Sequence, residues 1–135
     1  MNITLTDFLI ICVAGGVGSM ARAALAAALT RIWHPAGAIL AINMLGSFLI
    51  GVGLGVSLSS MDPFNATQAP IGFTFFAVGL LGGFTTVSTF ALQIRALWRE
   101  GKQVEAGGVA LGSVLLCPLL ALIGFALVPL IQGGG

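Results

Sequence analysis

Taken by its polar positions, the chain divides into four long apolar stretches, roughly residues 5–30, 36–60, 70–97 and 104–131, separated by its only clusters of charged, proline or polar residues. Each stretch reaches the roughly 20 residues that a helix needs to cross a bilayer, with some to spare for tilt. The connections, residues 31–35, 61–69 and 98–103, are short, so sequential helices are expected to pack as antiparallel neighbours. The expected architecture is an all-α integral membrane protein, a single four-helix domain over residues 1–135 with no linker and no low-complexity tract.

Composition sharpens this. Of 135 residues, 58% are hydrophobic and 20 are glycine, whereas 7% are charged, where a soluble domain has about 25%. With a mean hydropathy of +1.12, too little polar surface remains to cover a water-exposed fold. The length fills four spans, leaving no expected extramembrane domain. The first stretch lacks a basic leader region and outruns a signal peptide, so it reads as the first span. Net charge is +1 and no run of Lys or Arg exists, which argues against a nucleic-acid partner.

The cations report topology. Arg31, Arg95, Arg99 and Lys102 fall in or beside loops one and three, while the N-terminus, loop two and the C-terminus contain none. The positive-inside rule then puts loops one and three in the cytoplasm, with Trp33 and Trp98 as interfacial anchors. Small residues recur at spacing four (Gly15/Ser19, Ala23/Ala27, Gly51/Gly55, Gly79/Gly83, Gly108/Gly112), a pattern that lets helices approach closely in lipid.

The informative residues are the few that break apolarity inside a span. The run Gly82-Gly83-Phe84-Thr85-Thr86-Val87-Ser88-Thr89-Phe90 puts four hydroxyls behind a Gly-Gly pair. As a continuous helix they would cover an arc of about 160°. If the Gly-Gly pair breaks the helix instead, the freed carbonyls must be buried in protein or face an ion or water. Bonding back to the preceding turn would suit one or two of these hydroxyls, not all four. Asn43, early in the second span, can donate to an anion or tie helices together. Arg22 lies about 21 Å beyond Phe8, toward the cytoplasmic end of the first span, where snorkelling is one alternative. Ser113 and Cys117 share a face of the fourth span, and Asp7 reads as a solvated helix-end residue. Cys12 and Cys117 stand singly in apolar stretches and His34 sits in a loop, so no metal-ligand spacing and no grouped acid, base or nucleophile supports an enzyme.

Three elements, Gly15-Gly16-Val17-Gly18-Ser19-Met20-Ala21-Arg22, Ile42-Asn43-Met44-Leu45-Gly46-Ser47-Phe48 and the run 82–90, occur in order on successive spans. Together the chain resembles the Fluc (CrcB) fluoride channels. The resemblance implies an antiparallel, dual-topology dimer in a prokaryotic inner membrane, passing fluoride passively and selectively and thereby lowering its toxicity. It also implies a third helix broken mid-membrane, where the carbonyls of Gly82 and Thr85 from both subunits hold a structural sodium ion. The fluoride pathway maps to Asn43, Arg22, Ser88, Thr89, Phe90 and Ser113, with Cys117 beside it.

Three positions depart from the family pattern: Val87 for the first phenylalanine of its TTFSTF element, Ile39 for a threonine and Val109 for a tyrosine. Val87 would cost the pathway an aromatic edge. The one-sided charge is a further departure, because dual-topology members tend toward balance. An oppositely oriented paralogue as partner would account for both, beside the homodimer. Two other readings are a small proton-coupled dual-topology exporter, weakened by the lack of an acidic residue inside a span, and a non-conducting partner subunit of a heterodimeric channel.

Overall fold

The computed structural model describes residues 4–59 and 75–132, and among them every regular element is helical. They are α1 (Leu5–Leu29), α2 (Pro35–Ser59), the π-helical α3 (Phe75–Leu81), the single turn α4 (Gly82–Phe84), α5 (Ser88–Arg99) and α6 (Gln103–Gln132). Four stretches are long and apolar enough to cross a membrane: Leu5–Leu29, Pro35–Ser59, Ala77–Arg99 and Gln103–Ile131. The expected second connection, the last residue of the second span and the first residues of the third lie outside the described residues.

Local chemistry sets the helix ends. Asp7 Oδ2 accepts from the backbone N–H (2.9 Å) and hydroxyl (2.7 Å) of Thr4, while Asp7 N–H donates to Thr4 Oγ1 at 3.2 Å. The expected solvated end-of-helix residue is thus half of a capping box. At α2 the ring of Pro35 fits the first helical position, where no N–H is needed. Helix α5 ends in a Schellman turn: Lys102 N–H donates to Leu97 O (3.0 Å) and Gly101 N–H to Trp98 O (3.2 Å). That turn requires the left-handed φ of 77° that Gly101 adopts.

The tightest seams are not between sequential helices, as loop length suggested. They join α2 to α6, and α1 to α3 and α4. Glycine placement is the physical reason. A methyl at Gly51 would collide with the Ala121 carbonyl and one at Gly124 with the Phe48 carbonyl; at Gly55 it would stand 2.8 Å from Val128 Cγ2. In the other seam, Gly18 lies against the Leu80 carbonyl and Gly83 against the Gly15 carbonyl. Dispersion between closely approaching backbones, rather than water exclusion, holds such seams in lipid. Of the expected small-residue pairs, Gly51/Gly55 and Gly79/Gly83 are used in this way, whereas Ala23 and Ala27 are exposed and Gly108 faces open space.

Two apolar clusters complete the packing. Ala36, Leu97 and Ala106 join α2, α5 and α6, with Ile94 and Val109 against them; Ile39, Ile42 and Phe84 form the other, with Leu25, Ala26, Leu29 and Phe90 around them. Large apolar side chains elsewhere, from Phe8 and Met20 on α1 to Leu122 and Leu130 on α6, face outward. For a protein in hydrocarbon this is a matched surface rather than a cost.

Candidate anion site at a helix break

The third span is interrupted between α4 and α5. Thr85 N–H still closes the last turn on Leu81 O at 2.9 Å, but Thr85 itself is extended (φ −81°, ψ 128°), and helical bonding resumes with Ala91 N–H on Val87 O at 2.8 Å. At the break the backbone loses its own partners, and side chains must supply them.

Asn43 does so. Its Nδ2 donates to Thr86 O at 3.0 Å and its Oδ1 accepts from Thr86 N–H at 3.3 Å, with the residue only 8% exposed. This pairing fixes the amide's orientation, because a flipped amide would set NH2 against N–H and oxygen against oxygen. Asn43 therefore serves the interhelical role that was one of its two sequence alternatives, and it retains a second Nδ2 hydrogen for another acceptor.

The four hydroxyls of the run separate into two classes. Thr85 Oγ1 donates back to Leu81 O at 3.0 Å, the local bond foreseen for one or two of them. Thr86, Ser88 and Thr89 instead form a cluster, with Thr86 Oγ1 3.1 Å from Ser88 Oγ and 3.5 Å from Thr89 Oγ1. Arg22 reaches the cluster across the helix boundary: Nη1 donates to Thr89 Oγ1 at 3.2 Å. A guanidinium cannot accept, so Thr89 spends an oxygen lone pair on Arg22 and keeps its own hydrogen free to donate onward. Arg22 Nε is enclosed, and among the described residues no acceptor reaches it. The arginine is thus turned into the protein rather than snorkelling outward.

Beside the break lies a cavity of about 200 Å³, lined by Asn43, Ser47, Ile50, Thr85, Thr86, Val87, Ser113 and Cys117. Ser113 Oγ and Cys117 Sγ are 3.9 Å apart on its α6 wall. Of the expected pathway residues, Asn43, Val87 and Ser113 line this cavity. Arg22, Ser88 and Thr89 belong to the adjoining hydroxyl cluster, and Phe90 packs on the Ile39–Ile42–Phe84 cluster. Thr86 joins the two parts, its peptide held by Asn43 and its hydroxyl facing Ser88 and Thr89. Sequence reasoning left Ser47 and Thr86 out of the site; the signal available for Ser47 was its place one turn after Asn43. Among the three departures from the family pattern, only Val87 meets the cavity, 79% exposed, while Ile39 and Val109 are packing residues.

The arrangement is a set of donors, an amide, hydroxyls and a guanidinium, with no carboxylate among them. It suits a small, strongly hydrated anion, which needs short donors in place of water. Also at the break, no donor outside the helices reaches the carbonyls of Gly82 and Thr85 among the described residues. Gly82 is exposed on the single chain.

Comparison with known proteins agrees in substance. Residues 9–125 match the family described as CrcB-like protein, Camphor Resistance (CrcB). The chain is similar to the fluoride-specific ion channel FluC of Elusimicrobium minutum, at 40% identity over 124 residues that cover 90% of this chain and 92% of the relative. It is likewise similar to the FluC proteins of Thermus thermophilus (37% over 125 residues; 89% and 91% covered) and Opitutus terrae (36% over 120 residues; 87% and 88% covered).

Proposed function

The chain belongs to the CrcB family, and from that membership we propose that it is a subunit of a passive, fluoride-selective channel that lets fluoride leave the cytoplasm. The family is one of channels, not enzymes, and the chain is a multi-pass membrane protein. The observation that carries the reading is the donor-lined cavity at the helix break, whose Asn43 amide is held by the Thr86 peptide. An anion entering there meets Nδ2–H, the Ser47 and Ser113 hydroxyls and, past Thr86, the Thr89 hydroxyl backed by Arg22. None of these, except the arginine set off behind Thr89, is a full countercharge that would trap the ion. The N-terminus of α5, which starts at Ser88, adds a helix dipole of favourable sign. Phe90, assigned a ring edge on the pathway by the family resemblance, would offer it only from its place on the Ile39–Ile42–Phe84 cluster, outside the cavity lining. Val87 supplies none, so the loss of that aromatic edge would show in the conduction rate or in the selectivity.

The working unit of the proposal is an antiparallel dimer of two such chains in the inner membrane, with loops one and three of this subunit cytoplasmic; an oppositely oriented paralogue is the alternative partner. The exposed Gly82 and the undonated carbonyls of Gly82 and Thr85 suit a hard cation shared with the partner, and a sodium ion there would neutralise four carbonyl dipoles at the dimer centre. Thr85→Pro tests that assignment, because it removes the N–H bonded to Leu81 O and forces Phe84 out of helix. Dimer stability that is unchanged, and still equally sensitive to sodium, would dismiss the carbonyl ligands.

Function is tested on the purified chain in liposomes loaded with fluoride or chloride, following efflux after an ionophore collapses the voltage. Fluoride release without chloride release is expected. Release of neither, restored by a co-expressed paralogue, would replace the homodimer with a heterodimer; equal release of both would overturn selectivity.

A further inference from the structure

A second polar arrangement lies toward the far end of α5 and shares no residue with the cavity. This helix is amphipathic where its neighbours are apolar all round. It buries Leu97 and turns Ile94 toward Ala36 and Ala106. On its other side Leu92, Arg95, Ala96 and Arg99 line an open cleft of about 300 Å³. Arg95 and Arg99 are one turn apart, both exposed, so their charges repel each other along one face. No carboxylate among the described residues is paired with either. Among the described residues the one ion pair joins Lys102 Nζ to Glu100 Oε2 at 3.0 Å, which engages the carboxylate next to Arg99 in sequence with a different cation.

We propose that the Arg95–Arg99 cleft binds the headgroup phosphate of an anionic phospholipid, with the start of an acyl chain against Leu92 and Ala96. Two guanidinium forks one turn apart match the oxygens of a phosphate, and an anion between them turns their repulsion into attraction. The depth is appropriate: the apolar span ends at Arg99, and Trp98, 58% exposed, marks the headgroup level. The apolar half of the lining decides between occupants. Free phosphate would leave Leu92 and Ala96 uncovered, whereas a phospholipid presents charge and hydrocarbon in the order that the cleft presents arginines and Leu92. This inference stands apart from fluoride conduction.

The test measures retained lipid by native mass spectrometry, with melting temperature alongside, on the intact chain in detergent titrated with phosphatidylglycerol or phosphatidylcholine. Phosphatidylglycerol is expected to bind at one molecule per chain and raise the melting temperature, and phosphatidylcholine and inorganic phosphate to do neither. Arg95→Gln/Arg99→Gln is expected to bind phosphatidylglycerol about 30-fold more weakly, the factor for two interfacial cations. Its melting temperature without added lipid should match the parent, and Arg95→Lys/Arg99→Lys guards against misfolding of the double glutamine variant. Lys102→Gln, whose cation is already paired, should bind as the parent does. Equal weakening by Lys102→Gln would mean diffuse surface charge and overturn the site. So would unchanged binding in the double variant, saturation by inorganic phosphate, or arginine variants that alter the oligomeric state without altering lipid retention, which would make the face a protein interface.

Discussion

The α2–α6 seam and the 85–87 break solve opposite problems with the same helices. In the seam the two helices run unbroken, lacking only the N–H groups of Pro118 and Pro129, so contact is gained by taking side chains away: Gly51, Gly55 and Gly124 bring backbone against backbone. At the break the helix stops satisfying itself, so contact is gained by adding polar side chains, and Asn43 and Thr86 take the place of the missing ladder. One region is dry and uniform, and its chemistry is silent. The other is the place where donors meet a cavity, because the interruption gathers the Asn43, Ser47 and Ser113 side chains of the unbroken helices around the Thr86 peptide and hydroxyl.

The comparison breaks most visibly at the seam. Gly51→Val drives a branched side chain into the Ala121 backbone, and a loss of about 3 kcal/mol, the upper range for overpacking, is expected. Thermal unfolding in detergent reads it, and whatever folded protein survives should keep its fluoride selectivity; a selective defect without instability would make the seam part of the pathway. Asn43→Asp acts at the other pole. Aspartate keeps an acceptor for Thr86 N–H but sets an oxygen against Thr86 O, for a loss of about 1–3 kcal/mol, and puts negative charge on the cavity. Liposome efflux should show fluoride flux abolished, and unchanged flux would remove Asn43 from the path.

Thr86→Ala is subtler, because it leaves the Asn43-bound peptide in place and removes only the hydroxyl facing Ser88 and Thr89. A destabilisation of about 0.5–1.5 kcal/mol is expected, with a lowered fluoride rate and intact selectivity. A rate equal to the parent's would detach the hydroxyl cluster from conduction. Lys102 belongs to neither region. Its hydrogen bond to Glu100, and then the charge of that carboxylate, raise its pKa above the ordinary 10.5. What the pair contributes is therefore fully present below that ordinary value and lost as pH rises through the higher one. At this exposure Lys102→Gln should leave melting and flux near neutral pH unchanged, and a measurable shift would show loop three coupled to the core.

Much of this was legible in the chain. Apolar runs of spanning length, the scarcity of charge and the Gly-Gly-Phe-Thr-Thr run set the membrane, the helical class and the family, because each depends on composition or local spacing alone. The partition of the four hydroxyls was not legible: Thr85 bonding locally while Thr86, Ser88 and Thr89 cluster depends on backbone angles at the break. Nor was the seam order, since glycine spacing marks where a helix can be approached and not which helix approaches it. The capping box at Thr4 and Asp7 and the turn at Gly101 were readable in principle, being local patterns.

The sequence by itself determined the solvent, the helices, the family and the residues able to donate to an anion, since hydropathy and side-chain chemistry travel with the residue. Only the tertiary structure decided that Asn43 spends its oxygen on Thr86, that Arg22 turns inward to Thr89, and that Val87 meets the cavity while Ile39 and Val109 pack away from it. Those are contacts between groups as many as 67 residues apart. Such pairings follow from where helices cross, a property that no local stretch of chain contains.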